Sequence, residues 1–196
     1  MGTALLEILP RRLAIAVAKT ITNRNGTMKV RKIVTEEELK TNISAMAEEL
    51  KKKITSSEVT LVGILRGGIF FIQELMRSLN KLGINAEVEF AMVKKDEKKN
   101  ILIVDFPSPK AIQGKVVVVV DDLIKSGETL IKVSSEVKRH KPSQLLTATM
   151  VLKENALLKP DAHAFSSKDT AYWVGFGMDY QGKFRNLPYI GEVVKE

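Results

Sequence analysis

The stretch VVVVVDDLIKSGET, residues 116–129, decides the fold. Five consecutive valines form a run that only a strand buried on both faces of a parallel sheet accommodates well. After Asp121 and Asp122 the chain turns polar and small. From about Ser126 to His140 it then shows helical spacing, with Leu130, Val133 and Val137 on one face. Strand, short loop and helix in that order make the repeating unit of an α/β domain.

The same alternation extends in both directions. Upstream, Thr35 with Glu38 forms a capping box ahead of Leu39, Ile43, Met46, Leu50 and Ile54, which repeat at helical spacing. Val59 to Leu65 reads as a strand ending in Arg66-Gly67-Gly68, and Ile72, Leu75, Met76 and Leu79 mark a helix stopped by Gly83. Residues 84 to 93 alternate as a strand and Ile101 to Val104 as a shorter one, with the solvated loop KKDEKKN between them. Downstream, Leu145 to Leu152 and Tyr172 to Gly177 are further strands. The expected architecture is a central parallel sheet flanked by helices.

Residues 1–27 differ in character, with one acid, several basic residues and an apolar pattern broken by Pro10. They read as an N-terminal extension, a surface helix or arm, with a transit-like presequence as the alternative; the apolar stretch is too short for a secretory signal. Asn25-Gly26 marks a turn, and residues 28–196 form the expected domain.

Composition narrows the chemistry. The 196 residues include no cysteine, which excludes disulfides, thiolate metal sites and thiol nucleophiles. No apolar run approaches the ~20 residues that span a bilayer, so a cytoplasmic protein without a membrane segment is expected. The 31 basic against 23 acidic residues, net +8, favour anionic partners: nucleic acid, acidic membrane or phosphorylated small molecules.

In an open α/β sheet, ligands bind beyond the carboxyl ends of the strands. The free N–H groups at the start of the helix after Gly127, with the Ser126 and Thr129 hydroxyls, make a phosphate receptor. Carboxylates at Asp121 and Asp122 repel a phosphate unless they face sugar hydroxyls or a divalent cation, which implies a ribose phosphate with Mg²⁺ nearby. Successive strand residues point to opposite faces, so the two acids are a poor acid/base pair. An ordinary Ser-capped turn remains the alternative for this loop. A phosphoreceiver domain does not, because too little chain follows Asp121. At the second strand end, Gly67 and Gly68 let the backbone approach an anion that Arg66 can bind through two N–H groups.

Together these residues resemble a type I phosphoribosyltransferase. VVVVVDDLIKSGET is similar to that family's signature for 5-phosphoribosyl-1-pyrophosphate (PRPP). The run Tyr172-Trp173-Val174-Gly175-Phe176-Gly177-Met178-Asp179-Tyr180, followed by Phe184-Arg185-Asn186-Leu187-Pro188, is similar to the hypoxanthine-guanine branch. The resemblance implies the type I fold with a small hood built from terminal segments. It also implies transfer of phosphoribose from PRPP to a 6-oxopurine, releasing pyrophosphate and giving the purine nucleoside monophosphate.

Residue by residue, the resemblance implies that Asp121 and Asp122 contact the ribose hydroxyls and that Lys125, Ser126, Gly127, Glu128 and Thr129 hold the 5′-phosphate. Leu65, Arg66 and Gly67 form the pyrophosphate loop, where the family often has a non-proline cis peptide, and Arg185 reaches the pyrophosphate. Lys153 binds the purine 6-oxo group, Tyr172 stacks on the base, Trp173 reads its edge through the backbone, and Asp179 lies by the purine. Mg²⁺ is the implied metal, with Asp179, Asp121 and Asp122 as candidate ligands. A homodimer or homotetramer is the implied assembly. Read without the motif, Tyr172 fits a core aromatic, Lys153 a solvated lysine and Arg185 a surface cation.

The sequence departs from the family at two places. Lys125 stands where the purine branch usually has an aspartate that takes the proton from N7. A lysine beside a phosphate stays a cation; it strengthens phosphate binding and cannot serve as that base. The covering loop usually carries a Ser-Tyr pair, and here it reads Lys94-Lys95-Asp96-Glu97. Among the expected catalytic residues Asp121, Asp122, Lys125 and Arg66, the third is therefore anomalous. A weakened paralogue that binds nucleotide or PRPP as a regulator is the alternative. Nucleic-acid binding through Lys138-Arg139-His140-Lys141 is disfavoured because no aromatics interleave the basic residues.

Overall fold

The computed structural model describes residues 19–23, 26–96, 101–105, 109–168 and 171–195. Thirteen helices and strands follow one another: β1 (Lys19–Asn23), β2 (Gly26–Val34), α1 (Glu36–Lys53), β3 (Glu58–Leu65), α2 (Ile69–Lys81), β4 (Asn85–Asp96), β5 (Ile101–Asp105), β6 (Val116–Ile124), α3 (Glu128–Arg139), β7 (Gln144–Lys153), β8 (Ala162–Ser167), β9 (Trp173–Val174) and β10 (Ile190–Lys195). Two sheets result. The larger has the order β5-β4-β3-β6-β7-β8 and is parallel except for β5, which runs antiparallel to β4.

The valine run explains why this sheet has two covered faces. Val116, Val118 and Val120 lie in the core cluster with α1 and α2, among Leu39, Ile43, Phe71 and Leu75. Val117 and Val119 lie in the opposite cluster with Leu130, Val133 and Val137 of α3. The period-two alternation of a strand therefore feeds two separate cores. At about 25 cal/mol per Å² of apolar surface buried, each fully enclosed valine contributes roughly 1.5 kcal/mol or more. The α1 capping box forms as expected: the Glu38 N–H donates to Thr35 Oγ1 at 3.2 Å, and the Thr35 N–H donates to Glu38 Oε2 at 2.8 Å.

The smaller sheet, β1-β2-β10-β9, is the expected hood of terminal segments. Its core is Val30, Val174, Phe184 and Leu187. Strand β1 lies inside the segment that composition sets apart and pairs antiparallel with β2, Asn23 opposite Gly26. Residues 1–18 of that segment lie outside the described residues.

Several boundaries differ from the sequence expectation. The β6 strand continues through Asp121 and Asp122 to Ile124, because its pairing with β7 persists to Ile124↔Leu152 after its pairing with β3 stops at Gly63↔Val120. Lys94, Lys95 and Asp96 are strand and not loop, held by the antiparallel partner β5; Glu97 and the rest of that stretch lie outside the described residues. The expected strand from Tyr172 to Gly177 shrinks to two residues. Gly175 and Gly177 have φ of 94° and 101°, and Phe176 between them 49°, values that no strand accommodates. Strands β1, β2, β8 and β10 were not legible as periodic runs.

Candidate active site

Three chain segments meet at the carboxyl ends of the parallel strands, interlocked through glycines. At the end of β3 the Leu65–Arg66 peptide is cis. A Cβ on Gly67 would fall 1.7 Å from a carboxylate oxygen of Asp122, so any larger residue there displaces the Asp122 carboxyl from its place against the β3 loop. A Cβ on Gly177 would fall 2.0 Å from the Gly67 carbonyl oxygen, which places the C-terminal turn against the same loop. Arg185 fastens that turn: Nη1 donates to the Gly177 carbonyl at 2.7 Å, and Nη2 pairs with Asp179 Oδ1 at 2.7 Å. The Gly182 N–H holds the other Asp179 oxygen at 2.6 Å.

The two acids of β6 are in different surroundings from an exposed pair. Asp121 is 8% exposed, and the Asp122 N–H donates to its Oδ1 at 3.0 Å. Burial, reinforced by the neighbouring Asp122 charge, pushes the Asp121 carboxyl well above the usual carboxylate range. Burial also raises Asp122, against hydrogen bonds that favour its charged form and the nearby Arg185 cation. Contrary to the expectation of opposed side chains, the two carboxyls interact directly and line the same cleft. Both gain from any group that supplies positive charge or hydroxyl donors.

Beyond β6 the loop and α3 open a cleft of about 360 Å³, lined by Asp121, Asp122, residues 123–130, Tyr172, Trp173, Met178 and Asp179. Gly127 takes φ 95° as the N-cap of α3, and no side chain caps the helix. A Cβ there would meet Leu158 at 2.7 Å. Ser126 Oγ accepts the Glu128 N–H at 3.4 Å, a long contact. Gly127 rather than Ser126 is the N-cap residue, and apart from the long Ser126 contact no side chain is recorded on the first N–H groups of α3, where an anion is favoured.

On the facing wall, Tyr172 is 46% exposed and meets Tyr180 edge-on at 4.9 Å between centroids. The Lys125 ammonium lies 4.5 Å from the Tyr172 ring centroid. Lys153, only 7% exposed at the end of β7, donates to Ser167 Oγ at 2.9 Å and stands 4.6 Å from the centre of the Trp173 ring. Trp173 is itself buried, and its indole N–H has no partner.

Of the residues singled out in the sequence, Asp121, Asp122, Lys125, Ser126, Gly127, Glu128, Thr129, Tyr172, Trp173 and Asp179 share the cleft wall. Gly67, Lys153 and Arg185 lie outside that lining and reach it through Asp122, Trp173 and Asp179 respectively, and Leu65 is partly buried at the end of β3. Arg66 is exposed at the tip of the β3 loop. Tyr172 is not a core aromatic, and Lys153 is not a solvated lysine. Met178, Ser167 and Gly177 were missed. Only the glycine carried a signal, as one of a Gly-x-Gly pair whose turn role needs the third dimension.

The donor set bears on a metal. Among the described residues no three carboxylate or imidazole groups converge to cage one. Asp121, Asp122 and Asp179 therefore do not form a single ligand cluster, since Asp179 is turned to Arg185 and Gly182. The carboxyls of Asp121, buried, and Asp122, partly buried, nevertheless offer hard oxygens that suit Mg²⁺, which is commonly bound by one or two carboxylates together with substrate oxygens and water.

Comparison with known proteins identifies the family. Residues 29–183 match the model of the phosphoribosyl transferase domain family. A hypoxanthine phosphoribosyltransferase of Buchnera aphidicola is 33% identical over 181 residues, covering 86% of this chain and 97% of that protein. A hypoxanthine-guanine phosphoribosyltransferase of Dictyostelium discoideum is 27% identical, covering 84% and 95%. The crystal structure of a hypoxanthine-guanine phosphoribosyltransferase from Bacillus anthracis superposes with a TM-score of 0.76 at 26% identity, covering 86% of this chain and 99% of that one.

Proposed function

This chain belongs to the phosphoribosyltransferase family, in its hypoxanthine-guanine branch, and from that membership we propose its reaction and the work of its residues. The protein transfers the phosphoribosyl group of PRPP to a 6-oxopurine, releasing pyrophosphate and forming the nucleoside monophosphate. One observation carries the reading: the acidic end of β6, the open head of α3 and the Tyr172–Asp179 turn converge on one cleft. Relatives matched over most of the chain are named as phosphoribosyltransferases, which supports catalysis over a purely regulatory role.

The 5′-phosphate rests on residues 125–129, where backbone N–H groups and the helix dipole meet it. Asp121 and Asp122 accept hydrogen bonds from the ribose hydroxyls. The Leu65-Arg66-Gly67 loop and Arg185 hold the pyrophosphate. The base lies on Tyr172, its edge read by the Trp173 backbone and its 6-oxo group by Lys153, with Asp179 alongside.

A purine nitrogen attacks C1 while the C1–oxygen bond to pyrophosphate breaks, through a transition state resembling an oxocarbenium ion. Orientation and fixed charges lower this barrier, because the site's dipoles are already aimed where charge develops. Asp121 and Asp122 would hold Mg²⁺, whose charge would neutralise the leaving pyrophosphate. No helix among the described residues is long and apolar enough to cross a membrane. We place the enzyme in the cytoplasm as a homodimer or homotetramer.

The test is pyrophosphate release with PRPP, Mg²⁺ and, in turn, hypoxanthine, guanine, xanthine, adenine and uracil. Release with at least one 6-oxopurine and none with adenine or uracil is expected. Absence of nucleotide product with every base at high enzyme concentration overturns the reading.

A further inference from the structure

The base end of the cleft is furnished with hydrogen-bond donors. The Lys125 ammonium sits 4.5 Å from the Tyr172 ring centroid and forms no ion pair among the described residues. The buried Lys153 ammonium lies over the ring of Trp173 and donates to Ser167 Oγ, and the Trp173 N–H is buried without a partner. The charged and titratable groups around this end are Asp121 and Asp122 on β6, Glu128 at the head of α3, Lys153 on β7, and Tyr172, Asp179, Tyr180 and Arg185 on the C-terminal segment. Asp179 is already engaged by Arg185 and the Gly182 N–H.

A flat heterocycle that stacks on the exposed face of Tyr172 takes the place of the Lys125 ammonium and leaves it at the heterocycle's edge. The ammonium gives up a cation–π contact and needs an acceptor in return. Having three donors and no acceptor, it cannot take a proton from a ring N–H. A neutral base, carrying one imidazole N–H, therefore meets a cation where it needs a proton acceptor.

We propose that Lys125 selects the ionisation state of the acceptor base, so that the site takes a 6-oxopurine as its monoanion and favours acidic, 2,6-dioxo purines. This rests on the phosphoribosyl-transfer reading above. The base loses its proton to solvent before it binds, in the tautomer whose imidazole nitrogens are both unprotonated. One of those nitrogens forms the bond to C1, and the C1–oxygen bond breaks with its electron pair leaving on pyrophosphate. The product base is neutral, and Lys125 keeps its own proton throughout. Lys125 thus acts as a specificity-determining residue through charge.

The test is kcat/KM against pH for xanthine, which ionises near neutrality, and for hypoxanthine and guanine, which ionise well above it. Below each base's own ionisation, kcat/KM should rise about tenfold per pH unit. The inflections should follow the substrate, with xanthine preferred at neutral pH. Lys125→Asp should lower the xanthine to hypoxanthine preference by about tenfold or more and remove the dependence on substrate ionisation. Lys125→Met should give an intermediate preference.

An inflection common to all three bases overturns the proposal, because it reports a protein group. So does a base preference unchanged by Lys125→Asp, or a Glu128→Gln variant that abolishes the inflection. Failure of the underlying reading looks different: no pyrophosphate with any base at any pH.

Discussion

Replacing Gly177 by alanine tests how the site is held together, and Gly182 provides its control. Both glycines have a positive φ, 101° and 79°. Either alanine incurs a backbone penalty of about 1–2 kcal/mol. Around Gly182 a new Cβ meets nothing within 4 Å, so the penalty ends there. At Gly177 the Cβ would lie 2.0 Å from the Gly67 carbonyl oxygen, and backbone cannot rotate away as a side chain can.

The turn around Gly177 must then move off the β3 loop. That strains the Gly177 N–H bond to the Arg185 carbonyl at 2.9 Å and the Arg185 Nη1 bond to the Gly177 carbonyl at 2.7 Å. At about 1 kcal/mol for each bond, the whole change is roughly 3–4 kcal/mol. For a chain of this size, roughly 2–4 °C of Tm accompanies each kcal/mol. Gly177→Ala should therefore melt on the order of 10 °C lower, whereas Gly182→Ala should lose only a few degrees. A displacement of about 1 Å at a positioning loop costs about 10²-fold, so kcat/KM for PRPP should fall by that order in Gly177→Ala alone. Thermal melts and steady-state kinetics on the two variants decide it. Equal melting losses with PRPP kinetics untouched in both would refute the interlock of Gly67 and Gly177.

Three further outcomes are expected. Tyr172→Ala should raise the KM for the base about tenfold, the worth of a stacking contact, with little change in Tm because the ring is nearly half exposed; Tyr172→Phe should restore the base affinity. Arg185→Ala unties Asp179 and the Gly177 carbonyl together, so PRPP kinetics should weaken by about 10²-fold, and Arg185→Lys should rescue only partly because it lacks the two-armed geometry. His163, whose Nε2 lies 3.0 Å from Ser166 Oγ, has its pKa lowered from 6.5, chiefly by burial and partly offset by Glu49. The fold favours the neutral ring, so its contribution is full above the ordinary value and declines as pH falls through it. The Tm difference between the native protein and His163→Gln should narrow from pH 7.5 to pH 5.5, and a constant difference would exclude this linkage.

Legibility varied with the type of interaction. The β6 strand, its acids and α3 were readable because hydrophobic run, polar loop and helical period are adjacent in the chain, as was the α1 capping box, which needs only Thr35 and Glu38. The hood was harder to read. Strands β2 and β10 carry lysine, arginine or glutamate among their valines and pair with each other across more than 150 residues, and β9, only two residues long, is fixed by its pairing with β10. The extension of β4 through Lys94–Asp96 likewise depends on β5 and runs against the polar character of those residues.

The amino-acid order by itself determined the class of fold and the kinds of group in the site. Local periodicity, turn residues and the acid pair are properties of contiguous stretches. What only tertiary structure decided is where the charges stand and what surrounds them. Burial converts the Asp121–Asp122 pair into reluctant anions, because removal from water penalises charge. Close approach of the Gly67 carbonyl requires glycine at 177, and close approach of the Asp122 carboxyl leaves room only for glycine at 67 unless that carboxyl shifts. The meeting of β6 with the C-terminal turn sets the Lys125 ammonium over Tyr172, although 46 positions separate the two residues in the sequence.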